Sequence, residues 1–136
     1  MIRRQIERVK YAYRDIRDGI RNLYWFLPAV WRFREWDYVG ILGLIRVAAT
    51  RMAERHRDAD ITMDSPQIAA ELFEVARLCD RLTADDYFVE AGYDPETWMQ
   101  LTNIDRSRIS WKGTELARYD TLRLGTLFCK VQWWWG

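Results

Sequence analysis

The chain has 136 residues, with 21 basic and 20 acidic side chains and a formal net charge of +1. Such a balanced charge argues against a general nucleic-acid-binding protein, which normally has a strongly basic surface. A hydrophobic fraction of 49% and a charged fraction of 30% are typical of a folded chain, and the length suits one domain with one core. Two features are distinctive: the chain has eight tryptophans, and arginine greatly outnumbers lysine among its basic residues.

Histidine and cysteine are too few for several kinds of catalytic or metal site. His56 is the only histidine, which excludes zinc sites and acid–base mechanisms that need two of them. It lies in the charged segment 54–58, where we expect a solvated helix end. Cys79 and Cys129 lie far apart on apolar faces, and we expect two buried free thiols.

The sequence also lacks the usual motifs for bound phosphate or metal. Gly40 and Gly43 are followed by neither a third glycine nor a Lys-Ser or Lys-Thr pair, so a close helix–helix contact explains them better than a P-loop. Asp85 and Asp86 are adjacent in the chain, and adjacent residues of a helix point about 100° apart. The two carboxylates therefore need not converge on one metal ion. We therefore expect no metal and no cofactor. No segment resembles a signal peptide or a membrane span, which predicts a cytoplasmic protein.

An apolar seam predicts the first helix. Its members recur at alternating steps of four and three, as in a coiled coil, and they are Ile2, Ile6, Val9, Tyr13, Ile16, Ile20 and Leu23. Residues 1–22 contain seven basic and three acidic side chains, a net charge of +4. Such a helix can contact a phosphate backbone or a membrane surface, but we favour a solvated face with a few arginine–carboxylate pairs. Pro28 should end or kink this helix.

Two further helices are predicted from their starting residues. Asp37 is expected to cap the second helix, which ends at about residue 57 and is followed by a loop over residues 58–64. Ser65 followed by Pro66 predicts an N-cap and the first residue of a third helix. That helix should end between residues 83 and 88.

The rest of the chain is predicted to contain a loop and a last helix. Residues 89–113 carry turn signals with little periodicity, which indicates one long irregular connection. Thr114 is then expected to cap a helix that runs into the terminal tryptophans. The predicted architecture is all-α, a single-domain four-helix bundle over residues 1–136.

The tryptophans and arginines suggest where chemistry could take place. On a continuous helix, residues 133–135 would span about 200°, whereas a core-facing stripe is little wider than 100°. These indoles either close the base of the bundle, pack against another subunit or contact a ligand. In segment 31–38, arginine and aromatic side chains can grip a phosphate and stack on a base, or they can form a protein–protein contact. If the segment has only a structural role, Trp31 and Tyr38, which lie seven residues apart, could instead share one buried helical stripe.

The motifs of the chain resemble those of a family of small α-helical bacteriophage proteins. The family pattern runs from tryptophan–proline–tryptophan to an Arg-x-Trp-Asp-Tyr box, then to a Leu-x-x-Arg-Leu helix ending in Asp-Asp-Tyr, and last to Trp-Trp. The corresponding segments here are Trp25 to Trp31 around Pro28, Arg34-Glu35-Trp36-Asp37-Tyr38, Leu78 to Tyr87, and Trp133-Trp134-Trp135. The match covers most of the chain, and it departs at residues 57–60, where the family usually has a Gly-His pair.

The resemblance implies a setting in bacteriophage infection. Small helical phage proteins without catalytic groups often oppose bacterial defence, in some cases by binding a nucleotide second messenger without cleaving it. Our hypothesis is a non-enzymatic anti-defence protein, homo-oligomeric in the cytoplasm of the infected cell, that sequesters a cyclic nucleotide or a cyclic ADP-ribose-type immune signal. The alternative is a protein–protein inhibitor of a host defence enzyme or effector that acts through an aromatic surface. A nucleic-acid accessory role of the basic first helix and an enzyme using carboxylates and water are less favoured.

The expected ligand-binding residues combine arginines for phosphate, aromatic residues for stacking, and aspartates that hold the arginines or read a base edge. They are Arg34 and Arg81, then Trp36, Tyr87, Trp134 and Trp135, and finally Asp37 and Asp86. The structural alternative is an internal salt bridge in each pair, Arg34 with Asp37 and Arg81 with Asp86. No catalytic residue is expected.

Overall fold

The computed structural model describes residues 2–34, 37–59 and 63–135, without the side chains of residues 2–4, 133 and 135. This part of the chain is all-α, as predicted, with no strand. The α-helices are α1 (Ile2–Trp31), α2 (Tyr38–Ala59), α3 (Ser65–Ala84), α4 (Tyr87–Ala91) and α5 (Asn103–Phe128), with 3-10 helices at Trp98–Gln100 and Val131–Trp135. The four long helices are roughly consistent with the predicted bundle. Within the described ranges, no helix has the length and hydropathy needed to cross a membrane.

The core is organised around α3. The side chains of α3 that face inward are among the most buried in the protein, and they include Leu72, Val75, Leu78 and Cys79. The small residues Ala49 and Ala53 let α2 lie close along α3, while Leu124 and Leu127 approach from α5. Burial of each large apolar side chain contributes about 1.5–3 kcal/mol. This core fixes α2, α3 and α5 relative to one another.

The start and end of α3 follow from local sequence. Pro66 lies in the first turn, where a missing backbone N–H leaves no helical hydrogen bond unmade. The N-cap position is occupied by Asp64, one residue before the predicted Ser65. The helix ends at Ala84, within the predicted interval, because Asp85 takes a left-handed conformation with φ 54°.

Two predictions about exposure are wrong. His56 is buried rather than solvated, because its Nδ1 lies 3.2 Å from Oγ of the buried Ser65. Cys79 is buried as predicted, but Cys129 is exposed, since α5 ends at the preceding residue. Both thiols are free.

Helix α1 continues through Pro28 to Trp31, so Pro28 does not end the helix, which was one of its two predicted effects. Towards its C-terminal end α1 packs on α2, and there Phe26 and Ala29 are partly buried. Between residues 5 and 25, every side chain except that of Asp18 is exposed. Asp18 pairs with Arg17 at 3.2 Å and with Arg21 at 3.3 Å, which confirms the predicted arginine–carboxylate pairs.

The irregular connection is shorter than the predicted 89–113, since helix α4 covers its beginning and α5 starts at Asn103. The hydroxyl of Thr102 caps α5 by accepting the N–H of Asp105 at 3.2 Å. Thr114, the predicted cap, lies inside α5 and donates its hydroxyl to the carbonyl of Ser110 at 2.9 Å. The connection that lacks α-helix therefore runs only from 92 to 102.

Candidate functional site

A cleft of about 450 Å³ opens between the C-terminal end of α1 and residues 39–54 of α2, with part of α3 at its edge. This volume is typical of small-molecule sites. Its charged lining residues are Arg32, Asp37, Arg46, Arg51, Glu54 and Asp80, and Trp25 and Pro28 provide apolar surface. The cleft therefore combines three guanidinium groups and three carboxylates with an indole.

The turn before α2 and two glycines shape one side of this cleft. Asp37 Oδ1 accepts the N–H of Val39 at 3.0 Å, which confirms the predicted cap of α2. A Cβ on Gly40 would lie 2.9 Å from Phe33 Cδ2, so only glycine lets this connection pack so closely. A Cβ on Gly43 would have no heavy atom within 4 Å. The predicted close helix–helix contact of the two glycines is therefore wrong, and Gly43 keeps the cleft open instead.

Two of the three arginines already have carboxylate partners. Nε of Arg46 lies 3.3 Å from Asp80 Oδ1, a contact that joins α2 to α3. Nη1 of Arg51 donates to Glu54 Oε2 at 2.6 Å within α2. Arg32 forms no ion pair with another residue in the described ranges, and it is exposed at the rim of the cleft. Arg32 is thus the cation that an incoming anion meets without displacing a carboxylate.

Trp25 and Arg51 form a stacked pair across the cleft. The Arg51 guanidinium lies over the Trp25 ring, 4.0 Å from its centroid, and a cation–π contact at such a partly exposed position contributes about 0.5–1 kcal/mol. The salt bridge to Glu54 holds the guanidinium in this orientation. A planar group can therefore meet an ordered surface made of one indole and one guanidinium.

The predicted residues Arg81, Asp86 and Tyr87 lie together at another place, where α3 meets α4. Arg81 Nε donates to Asp120 Oδ2 at 2.7 Å, and its two terminal nitrogens donate to Glu90 at 2.8 and 3.2 Å. The Tyr87 hydroxyl donates to the same Asp120 oxygen at 2.9 Å. Asp86 is exposed at the N-cap of α4, so the predicted Arg81–Asp86 salt bridge is wrong: Arg81 pairs with Asp120 and Glu90 instead.

This network joins three helices and leaves little room for a ligand. Burial, and after it the hydrogen bond to Asp120, raises the pKa of Tyr87 to about 12, so the phenol stays protonated at neutral pH. Hydrogen bonds to Asp120 and Glu90 raise the pKa of Arg81. The depression beside these residues has a volume of about 60 Å³, well below that of a nucleotide site. The geometry favours a structural role for Arg81.

Trp134 belongs to the core rather than to the cleft. Helix α5 ends at Phe128 and residues 131–135 form a 3-10 helix, so the predicted continuous helix to the terminus is wrong. The Trp134 indole is buried, and its Nε1 donates to Glu71 Oε2 at 3.0 Å. Lys130 donates to the other Glu71 oxygen at 2.7 Å, and the two hydrogen bonds lower the pKa of Glu71. Glu71 lies ten residues before Arg81 in α3, about 15 Å along the axis, which separates Trp134 from the Arg81 network.

The remaining predicted residues are placed only in part. Arg34 is exposed in the connection between α1 and α2, where its carbonyl accepts the N–H of Asp37 at 3.0 Å. The predicted Arg34–Asp37 side-chain salt bridge is not among the ion pairs of the described residues, and Asp37 caps α2 instead. Trp36 and the side chain of Trp135 lie outside the described residues.

The cleft residues were not recognised as one site in the sequence. Arg46 and Arg51 are separated from Trp25 by more than twenty residues, and they meet only because α1 and α2 pack against each other. Arg32 stands inside the aromatic segment 31–38 and was the one available signal. The predicted buried stripe of that segment is wrong, because Trp31 and Tyr38 are exposed on separate helices.

Among the residues that the structure describes, there is no cluster of three or more His, Cys, Asp or Glu side chains that could hold a metal ion. No protein-family model matches the chain, and comparison with curated proteins and with solved structures gives no significant match.

Proposed function

We propose that the protein binds a small, flat anion of the nucleotide class in the cleft between α1 and α2. The observation that carries this proposal is a cleft of about 450 Å³ in which Arg32 has no carboxylate partner among the described residues and lies near the stacked pair of Trp25 and Arg51. Guanidinium groups bind phosphate oxygens in a bidentate manner, and an indole face stacks on a base. Of the described residues that we expected to bind ligand, Asp37 lines this cleft.

The charges of the cleft favour a ligand of low negative charge. Arg46 and Arg51 are paired with carboxylates, and the Asp37 carboxylate caps the N-terminal end of α2, so Arg32 is the positive group that the cleft offers to an anion. This limited positive charge suits a ligand with one or two negative charges, such as a cyclic phosphodiester or a cyclic ADP-ribose isomer, better than a triphosphate. The Arg51 guanidinium, stacked on the Trp25 ring, then supplies the flat surface for the base.

We further propose that the ligand is held without being cleaved, as a bacteriophage protein would sequester an immune signal of its host. The only histidine is buried beside Ser65 and does not line the cleft, so no imidazole is available there as a general base. The anti-defence setting rests on the resemblance to bacteriophage proteins.

Calorimetry tests this function directly. The protein is titrated with cyclic mono-, di- and trinucleotides and with cyclic ADP-ribose isomers, and the bound ligand is then recovered and analysed by chromatography. We expect at least one ligand with a micromolar or tighter dissociation constant, recovered unchanged. The absence of any such binder contradicts nucleotide binding, and recovery of a hydrolysed product contradicts sequestration.

One observation favours a second function, inhibition of a host defence enzyme through an aromatic surface. Trp31 is 85% exposed at the end of α1, and exposed tryptophans are frequent binding hot spots. This function predicts that the protein inhibits a purified defence enzyme and that Trp31→Ala abolishes the inhibition. Inhibition that is equally strong with the variant argues against it.

A further inference from the structure

The apolar seam of α1 has no cover in its own chain among the described residues. The seam runs from Ile6 to Val30 in alternating steps of three and four residues, so Leu27 and Val30 extend the predicted three heptads. Every one of its eight side chains is at least half exposed. With the side chains of residues 5–25 almost all exposed, about 30 Å of this helix projects from the rest of the protein.

We propose that this seam pairs with the same seam of other copies in a parallel coiled coil. Ile6, Tyr13, Ile20 and Leu27 then occupy the a positions of the heptads, and the d positions begin at Val9. Because β-branched residues are frequent at both a and d positions, three strands are favoured over two. The expected assembly is a trimer joined by its α1 helices.

The seven-residue repeat of the seam favours a partner helix that winds around α1 over a flat surface such as a membrane. A straight α-helix has 3.6 residues per turn, so a strict seven-residue repeat drifts by about 20° per heptad and by roughly 70° from Ile6 to Val30. On a membrane surface, one end of the seam would therefore turn away from the lipid. A partner helix that winds around α1 stays in contact along its whole length.

The exposed area is sufficient for a specific contact. Completing the burial of each seam side chain removes roughly 60 Å² of apolar surface from water. Two copies then bury about 1,000 Å² in total, the area that a specific protein–protein interface needs. A third copy adds further seam contacts.

The residues that flank the seam fit a parallel arrangement. In parallel strands each g residue faces the e residue five positions later in the neighbouring copy, so Lys10 meets Gln5 and Tyr24 meets Gly19. A Cβ on Gly19 would have no heavy atom within 4 Å, which leaves room for the Tyr24 ring of another copy. In an antiparallel pair e residues face each other instead, and Arg17 of one copy would approach Arg17 of the next, which is unfavourable.

Sedimentation equilibrium of the full chain tests the proposal with a matched pair of variants. Ile16→Lys places a charge in the seam, whereas Tyr11→Lys places the same charge on the opposite face of the same helix, where Tyr11 is also half exposed. Neither side chain belongs to the core cluster, so both variants should keep the helical circular dichroism of the parent. We expect the parent and Y11K to have three times the 16.4 kDa mass of one chain, and I16K to have the mass of one chain.

Three results would overturn the proposal. The first is a parent protein that is monomeric at high micromolar concentration, and the second is an assembly that I16K leaves intact. The third is a monomer that floats with phosphatidylserine vesicles, which would assign the seam to a membrane surface. The orientation of the helices is tested by Val9→Cys in a Cys129→Ser background. Parallel helices bring the Val9 positions of neighbouring copies together and give a disulfide-linked pair. The absence of this pair contradicts the parallel arrangement.

Discussion

Arg81 Nε of α3 donates to Asp120 Oδ2 of α5 at 2.7 Å, although the two residues are 39 positions apart in the chain. The same carboxylate accepts the Tyr87 hydroxyl, and Arg81 also reaches Glu90, so α4 is held between the two long helices. Asp120 is only 5% exposed. A buried carboxylate is tolerated there because both a guanidinium and a phenol hydrogen-bond to it.

Removal of this carboxylate should destabilise the protein strongly. Asp120→Ala leaves the Tyr87 hydroxyl and one edge of Arg81 without their acceptor, and we expect a loss of about 2–3 kcal/mol in the free energy of unfolding, measured with urea. Glu115→Ala on the same helix removes an exposed pair with Arg118 and should cost less than about 0.5 kcal/mol. Equal effects of the two variants would contradict the structural role of the network.

Tyr87 should make the protein sensitive to alkali. Its pKa is raised from 10.0 to about 12 in the folded state, so its contribution to stability is complete below pH 10 and is lost as the pH rises from 10 to 12. We expect a decrease of about 2–3 kcal/mol in the free energy of unfolding over this interval. Tyr87→Phe should reduce the decrease, whereas Tyr119→Phe, at an exposed position of α5, should not. An identical alkaline decrease in Y87F and in the parent would show that Tyr87 is not responsible.

Glu71 should make the C-terminal 3-10 helix sensitive to acid. Hydrogen bonds from Lys130 and then Trp134 lower the pKa of Glu71 below its ordinary 4.5. The stability that it contributes is therefore present above pH 4.5 and is lost as the pH falls through the lower, folded-state value. Urea unfolding at pH 6 and pH 3 should show a smaller acid loss for Glu71→Gln than for the parent. For Glu115→Gln the acid loss should equal that of the parent, and the opposite ranking of the two variants would refute the assignment.

Two glycines of α5 should respond in opposite ways to alanine. A Cβ on Gly113 would lie 2.8 Å from Phe88 Cδ1 and 3.3 Å from its Cα, so Gly113→Ala should push α4 away and cost about 1–3 kcal/mol. A Cβ on Gly125 would meet no heavy atom within 4 Å. Gly125→Ala should therefore raise the free energy of unfolding by about 0.5–1 kcal/mol through helix propensity. Thermal unfolding followed by circular dichroism distinguishes the two, and a stabilised G113A would disprove the close contact.

Local sequence was sufficient to predict a helix end where the residues at that end determine it. Asp37 was predicted as the cap of α2 because aspartate is a preferred N-cap residue, and its carboxylate does accept the N–H two residues later. The end of α3 was also placed correctly. Gly113 and Thr114 were misread as a turn and a cap because glycine is locally a helix breaker. What keeps them helical is the packing of Phe88 against Gly113, a contact between distant segments that no local pattern encodes.

The candidate site was harder to predict for the same physical reason. Arginine and tryptophan were recognised as the relevant residue types, but the partners of Arg81 lie up to 39 residues away. Trp25 and Arg51 meet only when α1 packs on α2. The composition therefore indicated the residue types that line the cleft, whereas the position of the cleft depends on tertiary contacts.

The most direct test of whether the cleft is the binding site is a calorimetric comparison of two variants, Arg32→Gln and Arg55→Gln. For each variant the affinity for the tightest-binding cyclic nucleotide is measured. Both substitutions remove one exposed positive charge, but only Arg32 lines the cleft. Because a charge-assisted hydrogen bond contributes about 1.5–3 kcal/mol, we expect R32Q to bind about 10- to 100-fold more weakly than the parent. R55Q should bind as the parent does. If R32Q retained the affinity of the parent, the ligand would not be bound in the cleft between α1 and α2.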